Sequence, residues 1–129
     1  MATEFIMLAL SIALGLLHVI LHGQAAGLQR GYGWATSARD APADPLIGIP
    51  ARLERAMRNY LETFTFFAAT VMLAHSVGGR AWLMAAGAQV YFYSRLAYLP
   101  LYAFGVPVLR TAVWYLSVLG IVVILLSIF

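Results

Sequence analysis

The chain consists of four long apolar segments separated by shorter polar ones. The apolar segments cover about residues 5–27, 51–77, 80–104 and 110–129. Each is close to the roughly 20 residues that a helix needs to cross the hydrocarbon core of a bilayer. We therefore predict an all-α fold in which residues 1–129 form one integral membrane domain, a bundle of four transmembrane helices.

One substantial loop interrupts this pattern between the first two spans, at about residues 29–50. Most arginines near the span ends lie on the side of this loop, namely Arg30, Arg39, Arg52, Arg55 and Arg110. Only Arg80 borders the opposite side. Because cytoplasmic loops are enriched in basic residues, we predict that the loop is cytoplasmic and that both termini lie together on the non-cytoplasmic side.

The composition indicates that lipid is the solvent for most of the surface. Hydrophobic residues make up 63% of the chain and charged residues 10%, against about 45–50% and 25% in typical soluble domains. All eight basic residues are arginine, which reflects either codon usage or a need to bind carboxylates in a bidentate way. These arginines are scattered and accompany no recognition motif, so we expect no nucleic-acid partner.

The chain contains no cysteine, which excludes disulfides, thiolate metal ligands and a thiol nucleophile supplied by the protein. His18 and His22 lie one helical turn apart on the first span, a spacing that can bind a metal. No carboxylate or third ligand lies near them in the sequence. We therefore interpret them as part of a helix-packing face with Ser11 and Gly15, and predict no metal site.

Two spans carry polar side chains on a single helical face, because residues three, four or seven positions apart share a face. The face of the second span contains Arg52, Arg55, Asn59 and Glu62, and that of the third contains Tyr91, Arg95, Tyr98 and Tyr102. Ionisable groups inside membrane spans commonly line a cavity, pair with each other or mark a substrate path. The two faces therefore predict a polar centre within the bundle.

Two interpretations of this polar centre remain open from the spacing alone. Arginines, an asparagine, a carboxylate and phenols suit a small anionic or zwitterionic ligand that carries carboxylate and ammonium groups. Alternatively, Glu62 forms buried ion pairs with Arg55 or Arg58 and with Arg95, and the network only holds the helices together.

Three strings of residues resemble a known membrane family. They are Arg55-Ala-Met-Arg58-Asn59-Tyr-Leu-Glu62-Thr63, Arg95-Leu-Ala-Tyr98-Leu-Pro-Leu-Tyr102 and Arg110-Thr111. They are similar to the membrane-associated eicosanoid and glutathione metabolism (MAPEG) family, which includes microsomal glutathione transferases and the leukotriene and prostaglandin E synthases. The first string most resembles the prostaglandin E synthase branch. The loop around Arg39 looks like that of short bacterial members, which implies a bacterial inner membrane protein.

The resemblance implies a homotrimer that binds glutathione as co-substrate between neighbouring subunits on the cytoplasmic side. It implies that the glutathione contacts are Arg55, Arg58, Asn59, Glu62, Arg95, Tyr98 and Tyr102. Arg110 stands where the family has the catalytic arginine that stabilises the glutathione thiolate. One residue departs from the prostaglandin branch: Trp114 replaces a tyrosine one turn after that arginine.

The function predicted from these features is a glutathione-dependent membrane transferase or peroxidase that acts on lipophilic electrophiles drawn from the membrane lipids. The alternative is a non-catalytic membrane trimer that binds glutathione or lipid. A third class, a small four-helix drug exporter, requires a carboxylate in the middle of a span for proton coupling. Because the first span offers only Glu4 at its edge, we rank the exporter last.

Overall fold

The computed structural model describes residues 1–129, and it consists of helices without any strand. The helices are α1 (Thr3–Arg30), α2 (Tyr32–Ala35), α3 (Gly48–Ser76), α4 (Ala81–Ala103) and α5 (Pro107–Leu126). The all-α prediction is therefore confirmed. The four long helices occupy the four apolar segments of the sequence, and the short α2 lies inside the long loop.

Two of the long helices, α1 and α5, are long and apolar enough to cross a membrane. Their most apolar stretches have mean hydropathies of 2.3 and 2.1, and only 22% and 17% of these stretches are buried within the chain. A core helix of a soluble protein would be mostly buried, so these two surfaces suit lipid instead. Helices α3 and α4 carry more polar residues, and that they also cross the membrane stays a prediction.

The long helices meet around an aromatic core. The ring of Phe67 on α3 stacks on Tyr91 of α4 with their centroids 4.0 Å apart. Tyr60 of α3 stacks on His18 of α1 at 4.5 Å, and its hydroxyl donates a hydrogen bond to the Ser11 carbonyl. His18 thus packs in the interior against another helix, which is the role that the sequence analysis assigned to its face.

The contact between α4 and α5 depends on two glycines. A Cβ atom added to Gly87 would lie 2.6 Å from the carbonyl oxygen of Gly120, and one added to Gly120 would lie 2.7 Å from that of Gly87. Small residues of this kind allow two helix backbones to approach closely in a membrane, where packing drives association. This approach holds the first half of α4 against the second half of α5.

Both ends of the chain lie beside the turn between α3 and α4. The Arg80 backbone N–H donates to the Ser127 carbonyl oxygen at 3.0 Å, near the C-terminus. Close to the N-terminus, Nδ1 of His75 lies 3.2 Å from Oε1 of the buried Glu4. The two termini therefore share one end of the molecule. The side of the membrane on which this end lies stays a prediction.

The long loop is held at both of its ends. Gln29 at the end of α1 makes two hydrogen bonds to Ile47, since Nε2 donates to its carbonyl at 3.0 Å and Oε1 accepts its N–H at 2.9 Å. Within the loop, the Trp34 indole donates to the Ala41 carbonyl at 2.8 Å. Ile47 is the N-cap residue of α3, so these bonds fix where α3 begins relative to α1.

Candidate functional site

A polar cavity opens between the first half of α3, the last turns of α4 and the start of α5. Its volume is about 390 Å³. It is lined by Arg55, Arg58, Asn59, Glu62, Tyr98, Tyr102, Arg110, Thr111 and Trp114. The structure therefore brings together every site residue that the sequence analysis proposed except Arg95. The roles of these residues in binding or catalysis stay predictions.

The geometry of the cavity follows from a tight turn between α4 and α5. Gly105 adopts a positive φ of 71°, a conformation that glycine accepts without steric cost. Pro107 then begins α5 at a position where its missing N–H would be unpaired anyway. As a result, the Arg110 guanidinium carbon lies 4.6 Å from the centroid of the Tyr102 ring.

Tyr102 contacts two arginines, Arg55 and Arg110. Nε of Arg55 donates a hydrogen bond to the Tyr102 hydroxyl oxygen at 3.2 Å. Arginine is a donor only, so the phenol oxygen must be the acceptor in this bond. The phenol makes no other hydrogen bond in the chain, and its own hydrogen is therefore available to a ligand in the cavity.

The charges of the cavity are not balanced. Arg58 pairs with Glu54 of the same helix at 2.6 Å, but Arg55 and Arg110 have no carboxylate partner. The only carboxylate that lines the cavity is Glu62, which is exposed and makes neither an ion pair nor a hydrogen bond. The cavity thus presents a surplus of positive charge and one free carboxylate.

This geometry contradicts one of the two interpretations of the polar residues and leaves the other, a ligand site, as a prediction. The alternative in which Glu62 forms buried ion pairs with Arg55 or Arg58 and with Arg95 is wrong, because no such pair exists. Glu62 faces outward on α3, whereas Arg95 points into the interior of the protein and is fully buried. Helical spacing placed them on facing helices but could not show that they point to different sides.

Arg95 lies beneath the cavity and does not line it. Its Nη1 donates to Oδ1 of Asn59 at 2.9 Å. Its guanidinium carbon lies 4.2 Å from the centroid of Tyr98 and 5.3 Å from that of Tyr60. Asn59 therefore separates Arg95 from the space that a ligand would occupy.

An apolar groove continues from the polar cavity along α3 and α5. It is lined by Glu62, Thr63, Phe66, Thr70, Trp114, Val118, Ile121, Val122 and Leu125, with a volume of about 400 Å³. Glu62 and Trp114 line both spaces. The polar cavity and the apolar groove are therefore neighbours that meet at these two side chains.

Trp114 and Thr111 line the cavity although the sequence analysis did not place them among the site residues. Trp114 follows from helical spacing, because it lies four positions after Arg110 and so belongs to its face. Thr111 directly follows Arg110 and does not share its face, so spacing could not place it in the cavity. The Trp114 indole nitrogen is buried and has no hydrogen-bond partner. The indole therefore presents carbon rather than a polar group to the cavity. The Thr111 hydroxyl donates to the Pro107 carbonyl at 3.2 Å.

These features define an all-α integral membrane protein with a cationic cavity beside an apolar groove. The chain matches the model of the MAPEG family over residues 7–129, nearly its whole length. The chain therefore belongs to the MAPEG family, which is a family of membrane proteins. The resemblance of its sequence to this family is confirmed. A search of curated proteins found no match. The branch of the family stays a prediction.

Proposed function

We propose that the protein is a glutathione-dependent membrane enzyme that joins the thiol to lipophilic electrophiles or reduces lipid hydroperoxides. The observation that carries this proposal is the junction of a cationic cavity with an apolar groove at Glu62 and Trp114. The reaction needs one polar and one lipid-soluble reactant, and the two spaces match them. Membership in the MAPEG family supports glutathione as the polar reactant.

The cavity suits the functional groups of glutathione, which has two carboxylates, one ammonium group and a thiol. The arginines that line it, Arg55, Arg58 and Arg110, offer forked donors that bind carboxylates in a bidentate way. Glu62, the one carboxylate of the cavity, has no partner in the chain and would bind the ammonium group. The cavity volume of about 390 Å³ also lies within the range of about 300–1,000 Å³ found for ligand sites.

Arg110 is proposed to stabilise the glutathione thiolate. A free thiol has a pKa of about 8.5 and is mostly protonated at neutral pH, and an adjacent cation lowers that pKa. Arg110 has no anionic partner in the chain, so its charge is available to a bound thiolate. The thiol proton leaves to water as glutathione binds from the cytoplasmic side. The sulfur then forms a bond to the electrophilic carbon while the leaving group departs with the electron pair of its broken bond.

Tyr102 is proposed to be the second donor to the sulfur. Its hydroxyl hydrogen is free, and its ring lies against Arg110 at 4.6 Å. Trp114, which stands where the prostaglandin branch has a tyrosine, has a buried indole nitrogen and no hydroxyl. A donor to the sulfur must then come from another residue, and Tyr102 is the phenol in contact with Arg110.

The assembly and the membrane setting are part of the same proposal. Four transmembrane helices would place the polar cavity on the cytoplasmic side, where glutathione is available, and both termini on the other side of a bacterial inner membrane. The apolar groove between α3 and α5 would receive the lipophilic substrate from the bilayer. A homotrimer would close the open side of the cavity with a neighbouring subunit.

A second candidate is a trimer that binds glutathione or lipid without turnover. Trp114 favours this candidate, because the hydroxyl expected at its position is absent and its own N–H is buried. The binding residues on α3 do not depend on Trp114. Binding could therefore persist where catalysis has been lost.

One experiment separates these candidates. The protein, purified in a mild detergent, is titrated with glutathione while the ultraviolet absorbance of the thiolate is followed, and conjugation of an aryl halide is then measured. The chain contains no cysteine, so any thiolate signal comes from glutathione. S-methylglutathione is the matched control, since it keeps the carboxylates and the amino group but has no thiol proton and so cannot form a thiolate. Binding with a thiolate band and turnover supports the enzyme, and binding without them supports the second candidate. Absence of glutathione binding contradicts the enzyme and leaves only the lipid-binding form of the second candidate.

A further inference from the structure

Arg95 is a buried cation without a counter-ion. Its side chain is fully buried, at 0% exposure, and its Nε and Nη2 atoms have no hydrogen-bond partner. The ion pairs of the chain are Arg58 with Glu54 and His75 with Glu4, and neither involves Arg95. A buried charge that is not paired destabilises a folded protein. The burial of the unpaired Arg95 guanidinium therefore lowers the stability of the folded protein.

The contacts of Arg95 offset only part of this cost. The faces of Tyr98 and Tyr60 attract the guanidinium through their ring electrons, at 4.2 and 5.3 Å. The one hydrogen bond runs from Nη1 to Oδ1 of Asn59, at 2.9 Å. Because an apolar side chain would fill the same space without burying a charge, stability alone does not account for an arginine here.

The hydrogen bond to Asn59 determines how that amide is oriented. An asparagine side chain has an oxygen that accepts and a nitrogen that donates two hydrogens, whereas arginine can only donate. Arg95 must therefore face the oxygen of Asn59. The nitrogen, Nδ2, makes no hydrogen bond within the chain and belongs to a side chain that lines the polar cavity.

We propose that Arg95 is a positioning residue that holds Asn59 as a hydrogen-bond donor toward a carboxylate of the bound ligand. Without Arg95, the amide could rotate and present its oxygen, which repels a carboxylate. This inference rests on the proposed function in one respect, namely that the ligand is glutathione, whose carboxylate Asn59 would bind. It assigns Arg95 an indirect role, in place of the direct glutathione contact that the family resemblance implied.

The first test replaces Arg95 with methionine, which keeps the length of the side chain and removes its charge and donors. We expect Arg95→Met to melt at a temperature equal to or above that of the wild type, because an unpaired buried charge is lost. We expect its affinity for glutathione, measured by calorimetry in detergent, to fall about tenfold. Arg95→Lys, which retains a donor-only cation, should bind with most of the wild-type affinity. Arg39→Met, a loop substitution outside the cavity, is the control and should bind as the wild type does.

The second test changes the other partner. Asn59→Asp has nearly the same shape but offers only acceptors, and its carboxylate would pair with Arg95. We expect a higher melting temperature together with a loss of glutathione affinity at least as large as that of Asn59→Ala. In the double variant Asn59→Asp, Arg95→Met the gain in melting temperature should vanish.

The outcomes distinguish this inference from the proposed function. If the wild type fails to bind glutathione, the proposed function fails and the positioning role fails with it. If the wild type binds and Arg95→Met binds equally well, the positioning role alone is overturned. A parallel fall in melting temperature and affinity in Arg95→Met would make Arg95 a structural residue and overturn the inference as well. Wild-type affinity in Asn59→Asp would show that Asn59 is not a donor.

Discussion

The guanidinium of Arg110 lies over the ring of Tyr102, with its carbon 4.6 Å from the ring centroid. The two residues come from different helices, and the turn at Gly105 joins these helices. The same phenol accepts a hydrogen bond from Arg55 at 3.2 Å. A cation and a free hydroxyl hydrogen are thereby held side by side at the edge of the polar cavity, where an anionic sulfur would be stabilised by both.

Removing the hydroxyl of Tyr102 tests its part in this arrangement. Tyr102→Phe keeps the ring that Arg110 contacts and deletes the bond to Arg55. Because a hydrogen bond contributes about 1 kcal/mol, we expect the bound thiol to have a higher pKa and turnover to fall severalfold. The pKa is measured from the pH dependence of thiolate absorbance. Tyr93→Phe, on the exposed face of α4 outside the cavity, is the matched control. An unchanged thiol pKa in Tyr102→Phe would exclude the phenol as a donor to sulfur.

Replacing Arg110 separates catalysis from binding. Arg110→Gln removes the charge that stabilises the thiolate but leaves the other cationic residues of the cavity in place. We expect much of the glutathione affinity to remain, the thiol pKa to rise, and turnover to fall roughly tenfold or more, which corresponds to about 1.4 kcal/mol in the barrier. Arg110→Lys should retain more turnover than Arg110→Gln. Full turnover in Arg110→Gln would transfer the thiolate role to another arginine.

Glu62 is expected to recognise the ammonium group of glutathione. Because Glu62 makes no ion pair within the chain and Glu62→Gln keeps the size of the side chain, the substitution should change the free energy of unfolding by no more than about 0.5 kcal/mol. Its affinity for glutathione should fall about tenfold, since a hydrogen bond to a charged group is worth about 1.5–3 kcal/mol. A glutathione analogue without the α-amino group should bind wild type and variant equally well. Asp40→Asn in the loop serves as control. Equal glutathione affinity in Glu62→Gln and wild type would remove Glu62 from the site.

The close approach of α4 and α5 predicts that alanine destabilises the protein at Gly87, which lies in this contact, but not at Gly23, which lies on α1 outside it. Gly87→Ala would place a methyl group 2.6 Å from the Gly120 carbonyl oxygen, and we expect overpacking to cost about 1–3 kcal/mol of stability. Gly23→Ala on α1 meets no atom within 4 Å and should be neutral or stabilise the helix by up to about 1 kcal/mol. Thermal unfolding followed by tryptophan fluorescence measures both. Equal stability of the two variants would contradict the glycine contact.

The proposed subunit arrangement predicts a trimer. The polar cavity is open on one side, and its residues Arg55, Arg58 and Glu62 are exposed in the single chain. A neighbouring subunit would cover them and restrict the access of water to the thiolate. Native mass spectrometry from a mild detergent should give three times the chain mass of 14.1 kDa. Monomer alone at all protein concentrations would contradict a site between subunits.

The sequence by itself determined the helices and the residues that could form a site. The length and apolar character of α1 and α5 predict helices suited to lipid, because no other backbone arrangement except a closed barrel satisfies its hydrogen bonds there. The steps from Arg55 to Asn59 and Glu62 place these residues along one side of α3, since a helix repeats every 3.6 residues. Tyr98 and Tyr102 on α4 followed from the same periodicity and Arg110 on α5 from the resemblance to the MAPEG family, whereas Thr111 and Trp114 were not predicted.

Only the tertiary structure decided which of these residues meet. Spacing along two helices allowed Glu62 and Arg95 to pair, but the packing turns Glu62 outward and buries Arg95 against Tyr60 and Tyr98. The contact of Arg110 with Tyr102 and the buried indole nitrogen of Trp114 also depend on how α5 lies against its neighbours. Periodicity places side chains around one helix axis. The rotation of that helix about its axis, which decides whether a charge faces a cavity or an aromatic core, is set by packing between helices.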